Sequence, residues 1–302
     1  MQKNRMFLFL ILIALGFFSF HIFISDRVNR EEVKDSKFEY NREIGVDSSE
    51  KEVKYLEDNF SLSSVLEEEG SMPDSKSRNW WLNSGAMLTI SNGTGKTIHG
   101  ELKNEDSWRQ EYEDYNSSET DKGYHPQNIF RLITKSKWSR FNQEAYFKIN
   151  RYILSKDKHR SASNGILLFC RYKDSDNLYY AGLRVDGAVV VKKKYQGTYS
   201  QLGYKKVFEG SYNRFNQPNL LPINTWLGVR VEIDDISKEE ISLKVSIKKE
   251  KGSDWEQVLN VIDRDSVENK LIKGEGFAGI RTDFMDVEFD NYRIEEKRYG
   301  SQ

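Results

Sequence analysis

The sequence contains very few of the residues that form cross-links or metal sites in extracellular domains. Among 302 residues there is one cysteine, Cys170, and there are four histidines. A single cysteine excludes an intramolecular disulfide, and the sequence has no Cys/His spacing typical of zinc sites. Cys170 follows an apolar run at residues 166–169, so we expect a small buried hydrophobe rather than a catalytic thiol. Stability must therefore come from the hydrophobic core, for which a β domain of about 220 residues is large enough.

A strong excess of charge of either sign is also lacking, because the formal net charge is −1 at pH 7. This weak balance argues against a nucleic-acid partner, which would be bound through its phosphates. The charge is unevenly distributed: residues 26–76 contain 15 acidic and 8 basic residues, whereas residues 77–302 are mildly basic. A mildly basic part with many aromatic residues suits a neutral or anionic sugar.

One long hydrophobic run is present near the N-terminus. Residues 6–24 carry no charge, and Lys3 and Arg5 precede them. About 20 apolar residues cross the hydrocarbon core as a helix, and a basic flank stays in the cytoplasm. The run is longer than the apolar part of a signal peptide and lacks a small-residue cleavage site, which favours an uncleaved signal anchor over a removed peptide. We therefore expect residues 1–25 to form a single transmembrane helix in the cell membrane, with the C-terminal domain extracytoplasmic.

The next segment, residues 26–76, is polar, acidic and poor in aromatic residues. Such a composition cannot bury a core, and it predicts an acidic linker or stalk. Loose helical spacing of a few apolar residues adds the expectation of a helix at residues 53–69.

From residue 77 to residue 302, short apolar runs alternate with polar turns, without a long apolar stripe at helical spacing. The most informative stretch is residues 164–195, where three apolar runs are separated by two turn signals, one of them the pair Asp186-Gly187. Two packed antiparallel sheets bury such strands, so we predict an all-β, two-sheet antiparallel jelly-roll sandwich. The candidate strands lie at residues 86–90, 97–102, 129–134, 144–150, 166–172, 178–185, 188–193, 226–233, 241–248, 255–261, 277–281 and 285–294.

Alternation along these strands predicts which side chains point outward. In one strand Tyr180 and Arg184 alternate with apolar residues, and in another Tyr146 and Lys148 do the same. An outer face of Tyr, Arg and Lys suits a ligand better than bare solvent.

Three stretches, NLYYAGLRVDG before a Lys-rich strand, TWLGVRVEI, and GFAGIRTDFMDVEFDNYRI, resemble strands of the concanavalin A-like lectin/glucanase superfamily. Within it they are most similar to laminin G-like and glycan-active bacterial jelly-roll domains. The resemblance implies a jelly-roll fold and a glycan ligand. It leaves the activity open, because the superfamily includes lectins, glycoside hydrolases, polysaccharide lyases and adhesion modules.

The resemblance also suggests candidates for lyase chemistry. Polysaccharide lyases of similar fold neutralise a uronate carboxylate with Arg, Gln or Asn, and use His or Tyr as base and acid. The candidate catalytic residues are His125, Arg131 and Tyr146.

The last predicted strand carries two further expectations. Glucanases of this fold place carboxylates at period-two spacing, and Asp286, Glu288 and Asp290 share one face of this strand. Members of the superfamily also hold a structural calcium ion near the closing strand, which by resemblance assigns a calcium-ligand role to Asp290. No other cofactor is expected.

Sugar recognition uses flat aromatic rings and planar amide or guanidinium groups. The candidate ligand-binding residues are Arg131, Tyr146, Lys148, Tyr180, Arg184 and Trp81. The first hypothesis is a membrane-anchored, extracytoplasmic carbohydrate-binding module that recognises a polysaccharide. The alternatives are a polysaccharide lyase or glycoside hydrolase, and a protein-binding adhesion domain.

Overall fold

The computed structural model describes residues 53–267 and 269–297. The predicted membrane anchor and most of the predicted stalk lie outside the described residues. Within the described ranges, no helix has the length and apolar character needed to cross a bilayer.

Strands dominate the described chain. The strands are β1 (Tyr55–Asp58), β2 (Ser64–Glu67), β3 (Trp80–Ser84), β4 (Met87–Ser91), β5 (Thr94–Lys96), β6 (Phe130–Trp138), β7 (Phe141–Tyr152), β8 (Gly165–Asp174), β9 (Asn177–Arg184), β10 (Ala188–Tyr195), β11 (Thr198–Lys206), β12 (Trp226–Asp235), β13 (Glu240–Lys248), β14 (Glu256–Arg264), β15 (Gly276–Thr282) and β16 (Met285–Glu296). One α-helix, α1 (Ser107–Asn116), and two 3₁₀ turns, Met72–Asp74 and Pro126–Ile129, lie between them.

These strands form two sheets of antiparallel pairs. The nine-stranded sheet has the order β14-β13-β12-β7-β16-β5-β4-β2, with β1 also paired to β16. The seven-stranded sheet has the order β11-β10-β9-β8-β15-β6-β3. The prediction of an all-β, two-sheet antiparallel sandwich is therefore confirmed. The candidate strand at 97–102 was wrong, because it lies in the irregular segment that follows β5.

The core forms where the inner faces of both sheets meet, as the period-two alternation requires. Phe147 of β7, Val229 of β12 and Phe289 of β16 have no exposed surface, and they join Leu183 and Ile280 of the other sheet in one cluster. Cys170 also lies in this cluster, and burial raises the pKa of its thiol to about 12. It is a buried hydrophobe, as predicted, and has no reactive thiolate at neutral pH.

The hairpin predicted at Asp186-Gly187 is present between β9 and β10. The Gly187 amide donates to the Arg184 carbonyl at 2.9 Å, and Gly187 has a φ of +79°. A side chain here would be strained, and its Cβ would also lie 2.6 Å from the Phe208 carbonyl oxygen. Glycine is thus needed both for the turn and for the close approach of the chain after β11.

The expected helix at residues 53–69 was wrong, and so was the assignment of this stretch to the stalk. β1 pairs with residues 292–295 of β16, and β2 pairs with β4. Phe60 between them is 1% exposed and packs edge-on against Phe289, with ring centroids 5.2 Å apart. Pairing with strands distant in sequence overrides a weak helical spacing, and it supplies the burial that composition alone did not predict.

A buried ion pair between Lys193 and Asp263 links the two sheets. Lys193 of β10 and Asp263 of β14 are 2% and 1% exposed at their side chains, and the Nζ–Oδ2 distance is 2.8 Å. The Tyr179 hydroxyl also donates to Asp263 at 2.6 Å, and the Lys193 ammonium donates to the Lys270 carbonyl at 3.0 Å. The ammonium of Lys193 and the carboxylate of Asp263 thus neutralise each other and are hydrogen-bonded inside the protein, which allows a lysine to occupy an inward position of β10.

We predict that Asp263→Ala lowers the free energy of unfolding by about 3–5 kcal/mol, because it leaves the Lys193 ammonium buried without its counter-charge. Chemical unfolding followed by tryptophan fluorescence measures this change. The double variant Lys193→Met/Asp263→Leu should recover most of the loss, since neither charge then remains.

The matched control is Lys194→Met, which removes a lysine whose partner Asp176 is mostly exposed. Its effect should be about 1 kcal/mol or less. A loss of that small size for Asp263→Ala would contradict the role given to the buried pair.

Candidate functional site

The outer face of the seven-stranded sheet has an apolar floor of its own. The outward side chains of β6, β8, β9 and β10 pack into a second cluster, separate from the main core. Its buried members are Ile133, Leu167, Phe169, Tyr172, Leu178, Tyr180 and Val190. An outer sheet face with this much apolar surface differs from the solvated face of an ordinary sandwich.

Basic residues lie on this floor, each on a different strand. Arg131 lies between the inward residues Phe130 and Leu132 of β6, and Arg281 follows the inward Ile280 of β15. We call this surface the basic face. It consists of Arg131, Arg184, Lys192 and Arg281, with Tyr180 and Tyr199.

Arg281 is fixed in the middle of the basic face by a carboxylate and a ring. Its Nε lies 2.9 Å and 3.2 Å from the two oxygens of Asp283, whose side chain is 4% exposed. The guanidinium lies 5.2 Å from the centre of the Tyr180 ring. Burial acts to lower the pKa of Arg281, but Asp283 outweighs it and holds the pKa above its ordinary value. The guanidinium is therefore a permanent charge with a fixed orientation.

Two tyrosines provide aromatic surface beside Arg281. The rings of Tyr180 and Tyr199 meet edge-on, with centroids 6.2 Å apart and planes at 79°. Tyr180 is buried, which raises the pKa of its phenol to about 12, whereas Tyr199 on β11 is 52% exposed. The ammonium groups of Lys192 and Lys194 lie 5.9 Å and 5.1 Å from the Tyr199 ring centre. Tyr199 thus offers an accessible ring beside two cations.

Arg184 lies on the basic face, as the alternation predicted, but its donors are in use. They reach the Ala162 carbonyl at 3.0 Å, the Gln201 side chain at 3.3 Å and Asp186 at 2.7 Å. Because its hydrogen bonds lie within the protein, Arg184 contributes charge rather than free donors.

Trp81 lies at the margin of the same face. It belongs to β3, pairs with Ile133 and packs against the apolar floor. Its indole N–H donates to the Glu69 carbonyl at 2.7 Å. The polar residues around Trp81 in the sequence lie on and beside β3, which is an edge strand of the sheet. Trp81 is half-buried, so part of its ring is accessible to a ligand.

The structure separates Tyr146 and Lys148 from the basic face, so their assignment to the same surface as Tyr180 was wrong. Both lie on β7, in the nine-stranded sheet. The Tyr146 ring centroid lies 5.9 Å from that of Trp255, and the Lys148 ammonium pairs with Glu288 at 2.8 Å. Strand alternation predicts inside and outside correctly, but it cannot tell which sheet a strand joins.

The three candidate catalytic residues do not converge. The ring of His125 is buried, with Nδ1 at 3.1 Å from Asp121 and Nε2 at 3.7 Å from Glu101. Arg131 lies on the basic face and Tyr146 on the other sheet. The lyase arrangement of base, acid and neutralising arginine is therefore absent from these residues, and His125 belongs to a hydrogen-bonded network around Asp121.

The carboxylates of β16 lie in the nine-stranded sheet and are each engaged. Asp286 pairs with Arg151 at 3.0 Å and accepts hydrogen bonds from neighbouring donors. Burial acts to raise the pKa of Glu288, but hydrogen bonds from Lys148 and Asn150 outweigh it and hold the pKa below its ordinary value. A general acid needs the opposite shift, so Glu288 does not suit the role of a glycosidase acid. Burial raises the pKa of Asp290, but hydrogen bonds from Asn291 engage its two oxygens.

A metal role for Asp290 receives no support from its neighbours. Its two oxygens accept hydrogen bonds from the backbone and side chain of Asn291. Among the described residues, the group whose ligand atoms could surround a cation is Glu119, Asp157 and His159, with these atoms within 4.8 Å of one another. Calcium at Asp290 stays a prediction from the resemblance.

A shallow depression of about 300 Å³ lies on the outer side of the nine-stranded sheet. Its lining residues are Asn142, Gln143, Glu144, Arg230, Glu232, Arg293 and Glu295. Glu144 pairs with Arg230 at 2.6 Å, and Glu295 pairs with Arg293 at 2.9 Å. Because its charged groups neutralise one another, this depression is a weaker candidate than the basic face.

Sequence reasoning missed three residues of the basic face as binding candidates. Arg281 could have been found, because it alternates with buried residues in a strand that was predicted. Lys192 shares this signal on β10. Tyr199 could not have been found in this way, since β11 has no apolar alternation and was not predicted as a strand.

No protein-family model and no curated protein matches the sequence. Among solved structures, the carbohydrate-binding module CBM66 from Bacillus subtilis is similar at a TM-score of 0.44 and 14% identity, over 72% of this chain and 95% of that one. The GH43 BlXynB protein from Bacillus licheniformis is similar at a TM-score of 0.42 and 14% identity, over 80% of this chain and 39% of that one. LamAcat from Zobellia galactanivorans is similar at a TM-score of 0.39 and 10% identity, over 80% of this chain and 96% of that one. These values are too low to assign a function, so the fold rests on the strand pairing described above.

Proposed function

We propose that this protein is a carbohydrate-binding module that holds a glycan on the basic face without cleaving it. The observation that carries the proposal is the exposed ring of Tyr199 beside Tyr180, on a sheet face that also presents several cations. Sugar rings pack their CH-rich faces on aromatic side chains, while guanidinium and ammonium groups bind their oxygens.

The carboxylates beside this face support binding rather than catalysis. Asp283 is engaged by Arg281 and Asp186 by Arg184, at 2.9 Å and 2.7 Å. Hydrolysis of a glycosidic bond needs one carboxyl group that stays protonated near neutral pH and a second one facing it. Two carboxylates neutralised by arginines do not fit that requirement. They do suit a binding surface, because they hold the two arginines in place.

We predict that Tyr199→Ala weakens glycan binding roughly tenfold, which corresponds to the loss of about 1.4 kcal/mol of stacking. The measurement is isothermal titration calorimetry of the full-length protein in detergent, with glycans selected from a polysaccharide panel. Because Tyr199 is about half exposed, its replacement should leave the melting temperature nearly unchanged.

The matched control is Tyr55→Ala, which removes a tyrosine of similar exposure from the nine-stranded sheet. It should bind like the unaltered protein. Binding that is insensitive to Tyr199→Ala would contradict the proposed surface, and shortening of the glycan chain during incubation would contradict a non-catalytic module. If no member of the panel binds, the protein-binding alternative is favoured.

We also propose that residues 6–24 anchor the protein in the cell membrane, as their length and basic flank indicate. The full-length protein should stay with membranes after alkaline carbonate extraction, and a variant lacking residues 6–24 should not. N-terminal sequencing of the mature protein separates the two possibilities for this segment. A mature chain that starts beyond residue 24 would show a removed signal peptide instead of an anchor.

A further inference from the structure

The cations of the basic face differ in how their charge is compensated. Arg281 and Arg184 each have a carboxylate within hydrogen-bond distance, namely Asp283 and Asp186. The charge of each of these two arginines is therefore balanced within the protein.

Arg131 has no such compensation. In the part of the chain that the structure describes, no carboxylate or carbonyl lies within hydrogen-bond or ion-pair distance of its guanidinium. Burial and the neighbouring Arg281 act together to lower the pKa of Arg131, and the charge of Asp283 only partly offsets them. A half-buried guanidinium with five free donors, next to a second guanidinium, costs stability unless something else supplies an anion.

Lys192 is the second uncompensated cation. Within residues 53–267 and 269–297 its ammonium group has no ion-pair partner, and its neighbours include the cations Arg184 and Arg281. The ammonium group lies over the face of Tyr199, at 5.9 Å from the ring centre. Burial and the two arginines lower the pKa of Lys192, while Asp283 and Asp186 act in the opposite direction with a smaller effect.

The two uncompensated cations belong to strands that are far apart in the sheet. Arg131 is on β6 and Lys192 on β10, and the sheet order places β15, β8 and β9 between these strands. Four strand spacings correspond to about 19 Å at the backbone. A ligand that runs across the sheet from β6 to β10 passes both cations, and an extended polymer with repeated charges can supply an anion to each. Arg281 and Tyr180 lie between them, stacked on each other.

We propose that the ligand of the basic face is an anionic polysaccharide lying across the strands, with one sugar anion on Arg131, another near Lys192 and a ring against Tyr199. This inference rests on the proposed glycan binding and specifies the class of glycan. The anion is a carboxylate or a sulfate ester, since the planar guanidinium fork matches two oxygens of either group.

The test compares charged and uncharged forms of the same polymers with the full-length protein in detergent. The probes are polygalacturonate and its carboxyl-reduced form, and dextran sulfate and unsulfated dextran. We expect at least tenfold tighter binding of a charged form than of its uncharged counterpart, and weaker binding at high salt. A preference for polygalacturonate identifies a carboxylate, and a preference for dextran sulfate identifies a sulfate ester.

Arg131→Met should weaken binding of the charged polymer at least tenfold and leave the melting temperature unchanged or higher, because Arg131 is repelled by Arg281 and has no partner to lose. Lys192→Met should reduce the gain in affinity that long galacturonide oligomers show over short ones. The control is Arg264→Met on β14, which removes one positive charge from an exposed position on the other sheet. It should bind as the unaltered protein does.

Three results would overturn the inference. One is equal binding of charged and uncharged polymers, and another is an equal loss for Arg131→Met and Arg264→Met. The third is binding of neutral glycans alone, which would leave the proposed function intact and remove only the anionic specificity. Failure of every glycan, charged or neutral, would remove the proposed function as well.

Discussion

The burial of one face of most strands between the two sheets is the constraint on which the rest of this structure depends. Each apolar side chain removed from water contributes about 1.5–3 kcal/mol, whereas a buried charge without a partner is costly. Strand alternation then decides the position of the polar residues, because whatever does not enter the core must lie on an outer face. Lys193 is an inward exception that the structure tolerates, since Asp263 and nearby oxygens surround its ammonium group.

The outer face of the seven-stranded sheet also carries apolar side chains that must be covered. Its central strands carry apolar residues on both sides, so that a second cluster forms outside the main core. Long cationic side chains and tyrosines cover this cluster in part, because their stems are apolar and their ends are polar. Cations crowded on one apolar surface repel one another, and Asp283 and Asp186 reduce that repulsion at Arg281 and Arg184. The repulsion that is left concentrates at Arg131 and Lys192.

Local pattern was enough to predict the sandwich, the Asp186-Gly187 hairpin and the outward direction of Tyr180 and Arg184. Each of these depends on residues close together in sequence. The partnership of strands depends on residues far apart, and there sequence reasoning failed. It placed Tyr146 beside Tyr180, although β7 and β9 belong to different sheets. It also left β1 in a stalk, because the edge of β16 that pairs with it is more than 230 residues away in sequence.

The arginines show why residue type alone could not identify the site. Arg171 has no exposed surface and donates to the carbonyls of Ser139 and Ile272. It also pairs with Asp235 at 2.8 Å, so its charge is balanced inside the protein. Arg281 donates to Asp283 and orients itself against Tyr180. Arg131 follows the same strand alternation as Arg281, yet it meets no acceptor among the described residues. Only the charge partners separate these three cases. Arg171 has Asp235 and Arg281 has Asp283, whereas Arg131 has no carboxylate partner among the described residues. Arg131 is therefore the guanidinium of the three whose charge is still available to an anionic ligand.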